Sequence, residues 1–114
     1  WISLTLDPKK SAYQGRANLS KCDLRKLNLK AADLRCADLR GANLEGMDLS
    51  GVNLSCSYLE DTNLRDTVLH GVNFKSAKVK NTDLRGAQIL GCNFNNIDKD
   101  SLILDASIVD KVFK

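Results

Sequence analysis

The sequence predicts an all-β solenoid, a chain wound into four-sided coils of very short strands, about four coils high and closed by a short C-terminal helix. Two observations carry that expectation. An apolar residue recurs at every fifth position from Leu19 to Phe94 without a miss, and the residue just before it is Asp or Asn in twelve of the sixteen repeats. Neither a helix nor a straight strand explains a period of five. A helix rotates successive hits by roughly 140°, and a strand sends them to alternate faces. The chain therefore turns once per repeat.

Each repeat builds one side of the coil. Around the central apolar residue, such as Leu44, an extended segment points the centre and the residue two before it the same way, and the Asp or Asn between them the other. The second inward position is mostly small, as in Ala32, Ala37, Ala42, Ser57 and Thr62, with only Leu27 and Met47 large. The remaining two positions are polar or Gly and supply the corner. Four right-angled corners close the polygon, so twenty residues make one coil. Each strand then pairs in parallel with the one twenty residues on, at about 4.8 Å.

Residues 1–16 are expected to form the N-terminal cap: Ile2, Leu4 and Leu6 alternate, Asp7-Pro8 turns, and a degenerate repeat follows, centred on Gln14. Residues 17–96 hold the sixteen repeats. Residues 97–114 form the C-terminal cap, because an uncovered end coil would leave a ring of unpaired strand edges. In that last stretch Leu102, Ala106, Val109 and Phe113 fall on one helical face, while Leu102/Leu104 and Ser107/Val109 partly resume the five-residue register. A capping helix is the preferred reading, a fifth coil the alternative.

The runs ADLRC, ADLRG, ANLEG, MDLSG and VNLSC resemble the A-(D/N)-L-x-x signature of pentapeptide-repeat proteins. The resemblance implies a right-handed quadrilateral β-helix. It also implies a non-enzymatic protein-protein interaction scaffold, such as the repeat module of a ubiquitin-ligase adaptor or of a larger assembly. In this family C-terminal caps sometimes carry dimer contacts, which makes Leu102, Val109 and Phe113 candidates for capping or for a dimer, so monomer and dimer both stay open. The other role the family suggests is a DNA-mimicking gyrase inhibitor. That role needs a continuous negative stripe, and a formal charge of +3 with a pI near 8.7 argues against it.

Composition narrows the function classes. Basic and acidic residues are interspersed, which favours neither nucleic-acid binding nor polyanion mimicry. No apolar run reaches the ~18 residues of a membrane span, so the expectation is a soluble chain. The start at Trp1 suggests a piece of a longer protein. Four cysteines at spacings of 14, 20 and 36 match neither a disulfide scaffold nor a zinc signature, and a reducing, intracellular setting is expected. No catalytic constellation, metal site or cofactor is expected. The carboxylates sit at outward repeat positions, and His70, the only histidine, has no thiol or second His in its column.

Stacking at twenty-residue intervals organises the outward positions. Asp33, Asn53, Asn73 and Asn93 form a column expected to hydrogen-bond along the axis. Ala31, Gly51, Gly71 and Gly91 form a corner column expected to make type II turns. Cys36 and Cys56 stack at a corner, and Lys80 is expected above Glu60. Positions that break the pattern are where a protein partner is expected to dock. Tyr58, Val68 and Leu90 place large side chains outward, Val68 and Leu90 on one face, and Lys75, Lys78, Lys80 and Arg85 form a basic patch on the fourth coil.

Overall fold

The computed structural model describes residues 17–113; the expected N-terminal cap at 1–16 lies outside them. The chain climbs as a four-sided coil with extents of 37 × 24 × 21 Å. Every backbone bridge joins residues twenty apart, from Asn18↔Asp38 to Asp83↔Ile103, and all are parallel. The four sides are named by their inward centres. The first side carries Leu19, Leu39, Leu59 and Val79; the second Leu24, Leu44, Leu64 and Leu84. The third carries Leu29, Leu49, Leu69 and Ile89; the fourth Leu34, Leu54, Phe74 and Phe94.

All sixteen centres are buried, from Leu19 at 0% exposure to Phe94 at 7%. Phe74 and Phe94 stack with centroids 5.1 Å apart. Four inward positions are hydroxyl residues, also fully buried, and each donates to a carbonyl: Ser57 to Leu54 (2.6 Å), Thr62 to Leu39 (2.7 Å), Thr67 to Leu64 (2.8 Å) and Thr82 to Leu59 (2.7 Å). Burial without those bonds would cost about 1–3 kcal/mol per hydroxyl.

The Asp and Asn residues make the corners. At all twelve such repeats the side-chain Oδ1 accepts the backbone N–H two residues on, as Asn18 does from Ser20 (3.1 Å), Asn53 from Ser55 (3.0 Å) and Asn93 from Asn95 (2.9 Å). This Asx turn starts the bend. The next residue has φ near +60° in fifteen of the sixteen corners, including non-glycines such as Lys21, Cys36 and Asp61. The exception is Lys26, which leads into the oversized inward Leu27. These bonds also correct the expected axial ladder: Asn53, Asn73 and Asn93 spend their carbonyl oxygens on the local turn. Among the described residues, the amide-to-amide bond along the axis is Asn63 Nδ2 to Asn43 Oδ1, at 3.4 Å on the second side.

Along the third side the upper two corners depart from the lower two. After Leu29 and Leu49 the turn is closed by N–H donation from Ala32 and Val52 (3.0 and 3.1 Å), as the type II expectation requires. After Leu69 and Ile89, Gly71 and Gly91 keep positive φ (69° and 65°), but the closing bond from Val72 or Cys92 is not formed. There the backbone runs on as strands β1 (Val68–His70) and β2 (Gln88–Leu90), paired Val68↔Gln88, Leu69↔Ile89 and His70↔Leu90.

Both readings of the C-terminal stretch hold in part. Ile103 pairs with Asp83 in the twenty-residue register, and a 3-10 turn (Lys99–Ser101) precedes it. The chain then enters a short helix, α1 (Val109–Val112). The helical face is not the expected one. Ile108 and Val112 are buried at 3% and 2%, whereas Val109 and Phe113 are exposed and Leu102 lies in the extended segment, packed against the core. The four-residue helix is too short for Leu102 or Ala106 to join it, so Ile108 and Val112, four apart, set its buried face.

Candidate docking surface

The outward residues that break the Asp/Asn rule are confined to two opposite sides and to the upper coils. On the second and fourth sides the Asx residue persists through every repeat. On the first side the column reads Asn18, Asp38, Tyr58, Lys78, and on the third Asn28, Asp48, Val68, Gln88.

On the third side, β1 and β2 hold Val68, His70, Gln88 and Leu90 outward as a square without Lys, Arg, Asp or Glu, His70 beside Leu90 and Val68 beside Gln88. Leu90 is 64% exposed, the most exposed large apolar residue described. Below it the same side is charged: Lys30 pairs with Asp48 across 3.4 Å, and burial and salt do not favour contact with an apolar partner there. Val68 and Leu90 therefore come together as expected. His70 and Gln88 complete the square, and the sequence signal for His70 is its offset of twenty from Leu90.

On the first side, Tyr58 lies beside Lys78, and the Arg40 guanidinium stands 6.0 Å from the Tyr58 ring centroid. A groove of about 420 Å³ runs past Asn18, Asp38, Arg40 and Tyr58. A second, of about 540 Å³, is lined by Lys78, Lys80, Glu60, Asn96 and Ser101. The expected Lys80–Glu60 pair is not formed: Glu60 Oε1 is shielded from solvent and has no partner.

The basic patch is dispersed by the fold. Lys75 is on the fourth side, Lys78 and Lys80 on the first, and Arg85 on the second, where it grips Asp83 at 2.7 Å. A run of eleven residues crosses two corners, so sequence proximity does not become a surface. Two further arginines are spent similarly. Arg25 binds Asp23 (2.8 Å) and Arg40 binds Asp38 (2.7 Å), in each case across one central residue. The Arg25 side chain holds the Asp23 pKa down at about 2, and Arg40 and Arg85 lower Asp38 and Asp83. Cys36 and Cys56 occupy stacked corners at φ 60° and 59°, and Cys56 is an exposed free thiol. Burial raises the pKa of the Cys92 thiol, whose hydrogen goes to the Leu69 carbonyl at 2.9 Å.

Comparison with known proteins fixes the family. The family model for pentapeptide repeats (8 copies) matches residues 15–51 and 47–86. This chain is a pentapeptide-repeat protein. Among solved structures it is similar to HetL of the cyanobacterium Nostoc sp. strain PCC 7120, a pentapeptide-repeat protein involved in heterocyst differentiation regulation. The identity is 27% and the TM-score 0.64, over 78% of this chain and 39% of HetL. A pentapeptide-repeat protein of the Arabidopsis thaliana thylakoid lumen matches at 24% identity and TM-score 0.56, over 76% of this chain and 58% of that one, which shows the fold alone. This chain thus spans well under two thirds of either structure. No curated protein sequence matches it. The coil is accordingly the right-handed quadrilateral β-helix of a repeat scaffold family, and no helix among the described residues is long and apolar enough to cross a membrane.

Proposed function

We propose that this pentapeptide-repeat chain is a non-enzymatic docking scaffold that holds a protein partner against the upper third side, with Val68, His70, Gln88 and Leu90 as the contact. The exposed Leu90, set in a square without Lys, Arg, Asp or Glu on the strand pair β1–β2, carries the reading. Interface centres are depleted in charge and enriched in apolar anchors, and a strand pair presents four side chains rigidly. The first-side cluster of Tyr58, Arg40, Lys78 and Lys80 is the second contact, reached across the coil by a partner that clasps both sides.

The Asp residues that precede the inward centres are engaged by their own turns, and the interior is filled by side chains, which supports a role without catalysis, cofactor or nucleic acid. In a longer protein this module would be the partner-reading arm, for example of a ubiquitin-ligase adaptor or an assembly component. Gyrase inhibition by DNA mimicry finds no support in a chain of net charge +3, on whose surface Arg25, Arg40 and Arg85 pair with Asp23, Asp38 and Asp83. A supercoiling assay would show no inhibition at micromolar chain.

The direct test places a photo-crosslinking residue at position 90 and, as a control, at Glu45 on the second side. A discrete crosslinked partner is expected from position 90. With that partner purified, Leu90→Asp is expected to weaken binding by about tenfold or more without lowering Tm. Unchanged affinity in Leu90→Asp and Val68→Asp overturns the assignment.

A further inference from the structure

The four cysteines fall into two kinds of position. Cys22 and Cys92 take the inward small position and pack against the core, where a thiol behaves as a small hydrophobe, whereas Cys36 and Cys56 are apices of the corner between the fourth and first sides. Both apices hold positive φ (60° and 59°), a conformation that costs energy in any residue with a Cβ. Both corners close with the same bond, Ala37 N–H to the Leu34 carbonyl and Ser57 N–H to the Leu54 carbonyl (each 3.1 Å). Cys36 N–H donates to the Ser55 carbonyl (3.1 Å), which sets the peptide leading into Cys56 directly over Cys36, and Cys56 N–H repeats the bond to the Lys75 carbonyl (2.9 Å). Two thiols therefore leave like backbones one ladder step apart, about 4.8 Å. Cys56 is exposed, and Cys36 lines the groove that runs past Arg40 and Tyr58. A spacing of twenty is no metal signature along the chain, but the coil turns it into a neighbouring pair.

We propose that Cys36 and Cys56 bind one cuprous ion between their sulfurs, at a site on the outside of the coil that is independent of the docking square. The spacing selects this ligand over the two commoner uses of a thiol pair. A disulfide needs Cβ atoms roughly 3.5–4.5 Å apart and converging, which parallel side chains one ladder step apart do not supply. A structural zinc takes four ligands, and among the described residues no group of three or more His, Cys, Asp or Glu comes together. What fits is a soft cation satisfied by two thiolates in line. With metal–sulfur bonds of about 2.3 Å, the two sulfurs then stand about 4.6 Å apart, close to the ladder step. Thiolate softness makes Cu(I) the biological cation of choice. Binding replaces two S–H bonds by two S–Cu bonds and releases two protons, which leaves a singly negative bis-thiolate with copper still Cu(I). The ion fastens two successive coils from outside.

The probe is Cu(I) itself, delivered without oxygen from a bicinchoninate buffer to the 114-residue chain with its thiols reduced. One ion per chain is expected, with two sulfur neighbours by X-ray absorption and a Tm that rises with Cu(I) concentration. Cys36→Ser or Cys56→Ser lowers the affinity by about a hundredfold or more, because each thiolate acts on the ion at the high effective concentration of a neighbour. Cys22→Ala with Cys92→Ala leaves binding intact. The register gives the sharper test, since Ser76 is the next apex of the same column at φ 61°. Adding Ser76→Cys to Cys36→Ser rebuilds a stacked pair and restores the affinity, whereas adding it to Cys56→Ser leaves the thiols two coils apart and restores nothing. Failure of that rescue, three sulfur neighbours, one ion shared by two chains, or Zn(II) held as tightly would overturn the proposal. A Cys36–Cys56 disulfide in chain purified without reductant would also overturn it and assign the pair to thiol oxidation. Leu90→Asp leaves copper binding intact, which separates this site from the docking face.

Discussion

The first and third sides lose their Asx residues at the same height, yet only the third side changes its backbone. Around Tyr58 and Lys78 the corners stay closed, with Thr62 N–H donating to Leu59 (3.1 Å) and Thr82 N–H to Val79 (3.0 Å). Around Val68 and Gln88 they open into β1 and β2. Two things differ. The first-side corners end on threonines whose hydroxyls bond the carbonyls of Leu39 and Leu59, and their apices Asp61 and Asn81 bond each other along the axis at 3.3 Å. The third-side corners end on Val72, which has no side-chain donor, and on Cys92, a weak one, with glycines at the apex. Glycine leaves the corner the freedom to open. A corner can therefore lose its Asx bond and survive, provided something else holds the turn.

The inward residues set the scale. Leu69→Asp beneath the docking square would bury a carboxylate at a 0% exposed position and is expected to abolish cooperative unfolding, a loss above about 4 kcal/mol. Leu44→Asp on the second side would do the same. The outward neighbours Val68→Asp and Arg40→Asp are expected to change Tm little. Circular-dichroism melts of the four variants check this, and equal damage inside and outside would break the two-sided assignment.

The next effect tests what holds the first side. Thr62→Val with Thr82→Val removes the hydroxyl donors from two buried carbonyls while keeping shape. Each is expected to cost about 1–2 kcal/mol and to speed exchange at the Thr62 and Thr82 positions, so that the first side comes to resemble the third. A smaller change of opposite sign follows from repairing the third side. Val68→Asn with Gln88→Asn restores the acceptor two residues before His70 and Leu90, and is expected to stabilise by about 0.5–1.5 kcal/mol per corner. Slowed exchange at Val72 and Cys92 would report closure. No slowing would mean that the glycine apices, and not the missing Asx residue, open the corner.

The period of five made the coil, its inward residues and its twenty-residue stacking legible, because one inward leucine per side is a constraint that every repeat must meet. Less legible was how a given corner behaves. Val68 stands out in a list of Asx positions, but so does Tyr58, and it takes the residues three and four later, Gly71 and Val72 against Asp61 and Thr62, to separate an open corner from a closed one. The basic run from Lys75 to Arg85 misled because proximity along a coil with four corners is not proximity on a surface. The C-terminal helix was recognisable as an apolar pattern, but Leu102 was drawn into the ladder by pairing at Ile103, and that shifted the buried face to Ile108 and Val112.

Acid sharpens the comparison further, because some Asx caps titrate and others do not. Arg25, Arg40 and Arg85 hold Asp23, Asp38 and Asp83 below the usual carboxylate range, and the Ser50 hydroxyl does so for Asp48. A carboxylate whose folded pKa lies below its unfolded one adds stability that is complete above about pH 5 and lost as pH falls through the folded value, about 2 for Asp23. Protection of the amides these Asp residues cap, at Arg25, Arg40, Ser50 and Arg85, is therefore expected to fall between pH 5 and pH 2, once intrinsic exchange is corrected. The Asn caps beside Ser55, Lys75 and Asn95 have no charge to lose. Their amides should keep their protection, making the upper fourth side acid-resistant while the second side loosens at its first and last coils. Surface exposure keeps the effect on Tm to a few degrees at most. A uniform loss at Asp-capped and Asn-capped corners alike would show that acid acts on the whole coil, and would remove the individual Arg–Asp grips as its cause.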